Sequence, residues 1–389
     1  MTLRREYPRV ALCVDKARSY GRRVLQGIAR YVEAYGPWSL YLDPDATGAY
    51  AAEWLRDWQG DGVLAFIENP SLAAELRRRR IPTVELFGHR DDLDLPQVGL
   101  DEEAFGRTGA EHLIERRFQR FGFCGYVNVP WSERRLAGFA AGVKAANGSL
   151  ETFRTVHLAS GPAEWEVAQQ RLTRWLCGLQ YPTGVLACSD RLAQRMLEAC
   201  RRASIAVPDQ IAVIGVDNDE ETCRLAQPAL TSIADDAPRM GFEAARLLDQ
   251  CMSEGMSAPA RRTLRWGPAG VVIRQSTDVL AVEDRLVAQA MRIIREQACS
   301  NLTVPVLLSQ LSVSRSVLYR RFDSALQRSP HREILRMKLQ HARWLMRQTD
   351  LTLDIIAERC GFRHSEYLSV AFKRETGVTP GRFRENREA

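Results

Sequence analysis

Short apolar runs alternate with amphipathic helical patterns from about residue 8 to about residue 275, and from about Ala281 the apolar runs stop. The runs VALCVD, WSLYLD, GVLAF, TVELFG, QVGLD, FGFCGY, GVLACSD and IAVIGVD are rich in Val, Leu, Ile and Phe and end at Gly, Asp or Pro, as strands do. Between them, stretches such as GRRVLQGIARYVEAYG place Val24, Ile28, Tyr31 and Tyr35 at helical spacing. Alternation of this kind builds parallel sheets from βαβ units. About ten strands suit two doubly wound lobes better than one sheet, with a ligand crevice at the carboxyl ends of the strands. Beyond the switch, MRIIREQA, VPVLLSQL, SRSVLYRRFDSAL, HREILRMKLQHARWLMRQ, LDIIAERC and SEYLSVAFKRET all read as helices. The joint RQSTDVLAVED is short and not rich in Gly or Ser, so coupled domains are expected.

The helical part repeats itself at an offset of 50 residues. Leu318 matches Leu368, Phe322 matches Phe372, and Ser329-Pro330 matches Thr379-Pro380. Each copy has a short helix, a tight turn (Ser312-Val313 or Gly361-Phe362) and a second helix, and the helix from His331 to Gln348 joins them. Leu318 and Phe322 are spaced i, i+4 and pack inward. Ser316, Tyr319 and Arg320 then point outward in the first copy, and Glu366, Ser369 and Val370 in the second, where Ser365 is a further base-reading candidate. A helix-turn-helix lays its second helix in the major groove, and two units one turn apart read two grooves of double-stranded DNA. A connecting helix of roughly 18 residues spans about 27 Å, close to one turn of about 34 Å. Arg320 is suited to a guanine edge and Glu366 to cytosine N4. Arg315, Arg321, Lys373 and Arg374 are expected on phosphates.

Charge supports this placing. From Arg285 onward there are 19 Lys and Arg against 10 Asp and Glu, +9, whereas the preceding residues sum to −3 of the chain's +6. A basic surface favours a polyanion, although a solvated helical bundle would show one too. The nine cysteines are scattered, form no C-x-x-C pair and are not grouped with the six histidines, so reduced thiols, no metal and no cofactor are expected. No apolar run approaches a membrane span, and the start reads as a first strand, not a signal peptide, which points to the cytoplasm.

The stretch AERCGFRHSEYLSVAFKRETGVTPGRFR, with its Gly-Phe turn, Phe-Lys-Arg, Gly-x-Thr-Pro and Phe-Arg, resembles the signature of AraC/XylS-type transcription regulators over about residues 285–386. Tyr319 and Val370 depart from it, because those outward sites are often polar in the family. The first 275 residues are similar to the core of LacI/GalR-type regulators and to periplasmic sugar-binding proteins. The likeness rests on VGLDEEAFGRTGAEHLIERRFQRFGFCG, ERRLAGFAAG, GVLACSDRLA, AVIGVDN and LTSIADDAPRMG, in the family's order. A LacI-type DNA-binding headpiece is absent from the sequence before the first strand. The combination resembles the XylR type of xylose-operon regulator over nearly the whole chain. The implied fold is an α/β two-lobed periplasmic-binding-protein-like domain (LacI/GalR core) followed by an all-α AraC-type domain with two helix-turn-helix units. The expected boundaries are 1–275 for the sensor, with lobes of 1–123 plus 235–275 and of 124–234, then a linker at 276–284 and the DNA reader at 285–389.

A sugar needs bidentate polar partners for vicinal hydroxyls and an aromatic face for its C–H surface. The resemblance places a ligand-binding arginine at Arg135. Asp190 and Asp217 end strands, where the fold rule puts ligand contacts. Trp165 is the candidate stacking ring, although a core role would suit it as well. Asp235 lies at a crossover where relatives often carry Gln, and Ser19, Tyr20 and Arg22 begin the first helix. Asp101 reads as a structural cap. The expected function is sugar-responsive transcription regulation, with xylose or another pentose closing the lobes, a homodimer on two half-sites, and RNA polymerase as a further partner. Repression, or a different sugar or polyol, is the alternative. An enzyme is the rival of a different class, but there is no G-x-x-x-x-G-K-[ST], G-x-S-x-G or H-E-x-x-H, and no His stands by sequence beside Cys188. A transport binding protein fits poorly with a fused DNA reader.

Overall fold

The computed structural model of the chain describes residues 7–16, 18–42, 55, 57–67, 70–88, 93–156, 162–254, 263–278, 284–300, 302–349 and 351–385. The chain divides into two compact units, Met1–Val279 and Leu280–Ala389.

The first unit contains two six-stranded sheets. The first sheet has β1 (Arg9–Cys13), β2 (Ser39–Leu42), β3 (Gly62–Ala65), β4 (Thr83–Glu85), β5 (Gln97–Leu100) and β11 (Thr263–Trp266), in the order β11-β5-β4-β3-β1-β2 and parallel throughout. The second has β6 (Arg120–Tyr126), β7 (Ser149–Thr155), β8 (Thr183–Ala187), β9 (Ile211–Val216), β10 (Thr231–Ala234) and β12 (Gly270–Val272), in the order β12-β10-β9-β8-β6-β7. Only β12 runs antiparallel to its neighbour among the described strands. The central strands β3, β8 and β9 are buried along their whole length, as parallel strands covered on both faces must be. That is why they read as unbroken apolar runs.

The topology moves the expected lobe boundaries. The division at 123/124 would cut β6, which lies wholly in the second sheet from Arg120. The chain already crosses at Asp101, because the helix Glu102–Glu115 packs on the second lobe. A side chain at Gly106 would meet Arg135 O at 2.1 Å, and one at Gly138 would meet Glu103 O at 2.0 Å, so the helix pair Glu102–Glu115 and Pro130–Ala145 closes to backbone contact through glycine. The chain returns at Asp235 into the helix Ala237–Glu254, then crosses again between β11 and β12. Backbone bonds tie these crossings together, Asp101 N to Trp266 O at 2.8 Å and Ala269 N to Ala234 O at 2.8 Å. Asp101 is a cap, its Oδ1 accepting from Ala104 N at 3.0 Å.

The expected linker also changes character at its start. Gln275–Thr277 form a short 3-10 turn with Ser276 and Thr277 wholly buried in the second lobe. Residues 279–283 of that linker lie outside the described residues.

The second unit holds seven described helices, Arg285–Gln297, Val304–Leu311, Arg315–Leu326, Pro330–Gln348, Leu353–Arg359, Ser365–Thr376 and Pro380–Glu385. Asp284 caps the first, accepting from Leu286 N and Val287 N. The long helix serves two cores. Ile334 and Met337 join the cluster of Leu307, Leu311, Leu318 and Phe322, whereas Leu339, Ala342, Leu345 and Met346 join that of Ile356, Phe362, Leu368 and Phe372. Successive faces of one helix therefore set the spacing of two similar modules.

Candidate functional site

The carboxyl ends of the strands of both sheets converge on one cluster in the first unit. From the first lobe come three rings. Tyr20 opens the helix after β1, Phe66 follows β3, and Phe87 follows β4. Tyr20 stacks on Phe66 and Phe87 at centroid distances of 6.0 Å each, and Phe66 lies 4.1 Å from Phe87. The Tyr20 hydroxyl donates to Leu86 O at 3.2 Å, and burial holds it well above the ordinary phenol range. Hydrogen bonds link the two lobes here, Arg23 Nη2 donating to Asp217 O at 2.7 Å and Arg134 Nη1 to Gly88 O at 3.4 Å.

Arg135 is the centre of the second lobe's contribution, at 3% exposed. Its Nε donates to Glu102 Oε2 at 2.5 Å and its Nη1 to Cys188 O and, at 3.5 Å, to Asp217 Oδ1. The guanidinium also lies 5.0 Å from the Trp131 ring and 5.5 Å from the Phe105 ring. Burial works against its charge, but Glu102 and Asp217 more than offset this and keep it cationic. Burial lifts the Asp217 carboxyl well above its usual range, with Arg135 opposing. Asp217 is the half-exposed member of the group, and its long contact with Arg135 leaves acceptor capacity facing the cleft. Asp235 is held differently. Arg23 Nη2 donates to Asp235 Oδ2 at 2.9 Å and to Asp217 O at 2.7 Å, and Asp235 Oδ1 accepts from Ala237 N at 2.9 Å.

Tyr20, Arg135, Asp217 and Asp235 are thus brought together, and three other candidates are not. Arg22 is exposed and turns back to Lys16 O at 3.0 Å, because one residue along a helix is 100° of rotation; the inward arginine is Arg23. Asp190 is 1% exposed and faces the sheet floor. Its Oδ1 accepts from Ser232 Oγ at 2.6 Å and its Oδ2 from Asp219 N at 2.8 Å and Cys223 Sγ at 3.3 Å, so it fastens the β9 and β10 ends together. Burial pushes its carboxyl up to about 7. Trp165 lies on the helix Pro162–Gly178 under the guanidinium groups of Arg202, at 5.4 Å, and Arg195, at 6.0 Å, which belong to the helix Asp190–Arg202. It covers this helix pair and lies apart from the Tyr20, Phe66 and Phe87 rings.

Phe66, Phe87, Glu102, Arg23 and Trp131 were not singled out from the sequence. Phe66 closes the run GVLAF and Phe87 stands one residue before the end of TVELFG, so the rule that placed Asp217 would have found them. Glu85 supports Phe87, accepting from Phe87 N at 2.9 Å and Gly88 N at 2.7 Å, and burial pushes its carboxyl up to about 7. An arginine and a carboxylate beside an apolar ring wall are suited to hold a polyhydroxylated ring. Cys188 is fully buried, and burial pushes its thiol up to about 12, so it offers no thiolate nucleophile.

In the second unit the two helix-turn-helix turns are made by left-handed residues, Ser312 at φ 52° and Gly361 at φ 69°. Ser314 caps the first recognition helix, Arg315–Leu326, and its Oγ also contacts Ser316 Oγ at 3.1 Å. Arg315, Ser316 and Arg320 are exposed, and Tyr319 is half-buried with the Arg315 guanidinium 5.2 Å from its ring. Arg321, also exposed, pairs with Asp284 at 3.0 Å. On the second recognition helix, Ser365–Thr376, Glu366, Lys373 and Arg374 are exposed, whereas Ser365 and Ser369 are half-buried. Val370 at 65% and Tyr367 at 50% exposed stand on the same surface, apolar groups suited to a thymine methyl.

A two-lobed α/β unit with a polar, aromatic-walled cleft, joined to paired helix-turn-helix modules, defines a ligand-sensing DNA-binding transcription regulator. Comparison with known proteins agrees in each part. Residues 9–99 match the XylR N-terminal domain, residues 110–277 a periplasmic binding protein-like domain, and residues 307–386 a helix-turn-helix domain. The xylose operon regulatory protein of Escherichia coli K12 is 31% identical over 388 residues, covering 97% of each chain. That of Haemophilus influenzae Rd is 30% identical over 389 residues, covering 98% of this chain and 99% of its own. Among solved structures, a xylose-binding transcription activator xylR superposes with a TM-score of 0.79 at 29% identity, covering 98% of this chain and 99% of that one. A CelR–cellobiose complex shares the fold of the sensor part, with a TM-score of 0.58 at 22% identity over 69% of this chain and 84% of that one. The chain belongs to the family of xylose operon regulatory proteins.

Proposed function

We propose that this regulator is a xylose-responsive activator of pentose catabolism genes. D-xylose occupies the cleft, with its hydroxyls on Arg135 and Asp217 and its C–H face on the Tyr20, Phe66 and Phe87 rings. Lobe closure then favours a homodimer whose paired reading units hold two half-sites in the cytoplasm beside a promoter, where RNA polymerase is the further partner. The observation that carries the reading is the meeting of Arg23 from the first lobe with Asp217, and of Asp217 with Arg135, at the strand ends of the second lobe, in a chain that shares nearly its whole length with xylose operon regulators. Base reading is assigned to Ser316, Tyr319, Arg320, Ser365, Glu366 and Ser369, and phosphate contact to Arg315, Lys373 and Arg374. Among the described residues no helix is long and apolar enough to cross a membrane. Calorimetric titration with D-xylose, L-arabinose, D-ribose and D-glucose tests the effector. Saturable heat with D-xylose, abolished in Asp217→Ala, is expected; heat only with another of the four sugars would reassign the effector.

A further inference from the structure

The segment through which the chain leaves the first unit is built into the second lobe. Ser276 Oγ donates to Val213 O at 2.6 Å and accepts from Thr231 N at 2.8 Å. Thr277 Oγ1 bonds Thr231 Oγ1 at 2.9 Å and lies 2.9 Å from His112 Nε2, and Arg116 Nε donates to Thr277 O at 2.8 Å. Arg274 N donates to Thr231 Oγ1 at 2.8 Å. The exit is therefore pinned to β9, β10 and the helix Glu102–Glu115 of one lobe.

One side chain connects this exit to the cleft. The Arg274 guanidinium donates through Nη1 to Leu230 O at 2.9 Å and through Nη2 to Asn218 Oδ1 at 2.9 Å. Asn218 is the next residue after Asp217, whose carboxylate faces Arg135. Both sit in the left-handed half of backbone space, Asp217 at φ 107° and Asn218 at φ 47°, which costs a non-glycine residue of order 1–3 kcal/mol and persists only where the surroundings impose it. Here Arg23 holds Asp217 O at 2.7 Å, and Ser232 Oγ accepts from Asn218 N at 3.0 Å. A group that engages the Asp217 carboxylate acts on this two-residue turn, and the turn carries the acceptor on which Arg274 rests. Packed hydrogen-bonded turns of this kind have discrete arrangements, as a coupling element requires.

We propose that the Asn218–Arg274 hydrogen bond is the contact by which occupancy of the cleft is passed to the segment leading into the DNA-reading unit. Neither residue touches the effector; both are positioning residues, and the assignment rests on the effector reading above. The test uses the full chain, D-xylose as the probe, and a duplex selected by the wild-type protein from random DNA. Sugar affinity is read by calorimetry, and DNA affinity by anisotropy with and without sugar. Asn218→Gly keeps the left-handed turn but removes the acceptor. It is expected to bind D-xylose within about threefold of wild type while the sugar-dependent change in DNA affinity falls from the usual range of about 5–150-fold to below about twofold. Asn218→Asp restores an acceptor and retains the coupling. Arg274→Met, which keeps the stem but donates to neither acceptor, repeats the loss and guards against a folding defect in the first variant. A full coupling ratio in Asn218→Gly overturns the relay alone, and so does loss of its sugar binding, which would place Asn218 in the cleft itself. Absence of D-xylose binding in the wild type overturns the effector reading and the relay with it.

Discussion

Replacing Glu102 by Leu asks what the buried centre of the cleft costs to break. Arg135 is almost wholly enclosed, and its pair with Glu102 at 2.5 Å is shorter than that with Asp217. Removing one partner of a buried pair leaves an uncompensated charge and costs about 3–5 kcal/mol. Asp217, at 3.5 Å, takes over part of the charge, so the lower end, about 3 kcal/mol, applies. Arg135→Met is milder in charge, because burial already raises the Glu102 carboxyl and favours its neutral form; it forfeits the contacts with Trp131 and Phe105, of order 0.5–2 kcal/mol. The double variant Glu102→Leu/Arg135→Met exchanges the pair for apolar groups and is expected to cost only about 0–1.5 kcal/mol. For a unit of this size about 1 kcal/mol shifts the melting temperature by roughly 2–4 °C. Thermal melting of the full chain should therefore show the first unit's transition lowered by about 6–12 °C in Glu102→Leu and by less than about 6 °C in the double variant. Additive losses in the double variant, or a neutral Glu102→Leu, would refute the idea that a desolvated ion pair organises the cleft.

Other expectations follow from the same structure. His112 is buried, and burial, with Arg116 adding to it, lowers its ring to about 3. The unfolded chain then binds a proton below about pH 6.5 that the folded chain refuses, so stability is full above that pH and falls as pH drops toward 3, by at most about 1.4 kcal/mol per pH unit. Urea denaturation of His112→Gln at pH 7, 5.5 and 4.5 should show this limb removed, the variant gaining on wild type as the pH falls. Phe372 is fully buried in the second helix-turn-helix, and Phe372→Ala should cost about 3–5 kcal/mol there, abolishing DNA binding in anisotropy while calorimetry still shows sugar binding in the separate first unit. Arg320→Ala should cost about 1–3 kcal/mol in DNA binding and relax the preference at one base pair, whereas Lys373→Ala should weaken all duplexes alike and reduce the salt slope by about one.

The two halves of the fold were legible because each has its own hydrophobic period. Runs such as GVLACSD are buried on both faces, and Leu318 and Phe322 repeat as Leu368 and Phe372 in matching cores. The crossovers were not legible in this way. The helix Glu102–Glu115 follows β5 like any other βα unit, and its contacts, through glycine to the helix Pro130–Ala145 and through His112 and Arg116 to Thr277, reveal that it belongs to the other lobe. In the cleft, strand-end position found Asp217 but could not tell it from Asp190, since both end strands. The difference is which way the carboxylate turns, and a side chain on Gly215 would come within 2.1 Å of Asp190 Oδ1, which shows how tightly that group is packed under the sheet. Arg22 and Arg23 differ by one step of helical phase, and Trp165 was chosen for its chemistry on a helix whose facing partner the sequence does not reveal.

The central claim is that a sugar in the first unit changes how the second unit grips DNA. Selection of duplexes from random DNA by the full chain, followed by anisotropy on the enriched sequence with and without D-xylose, tests it most directly. The account predicts an enriched site with elements about one helical turn apart and an affinity that D-xylose raises by about 5–150-fold. Equal affinity with and without saturating D-xylose would contradict it.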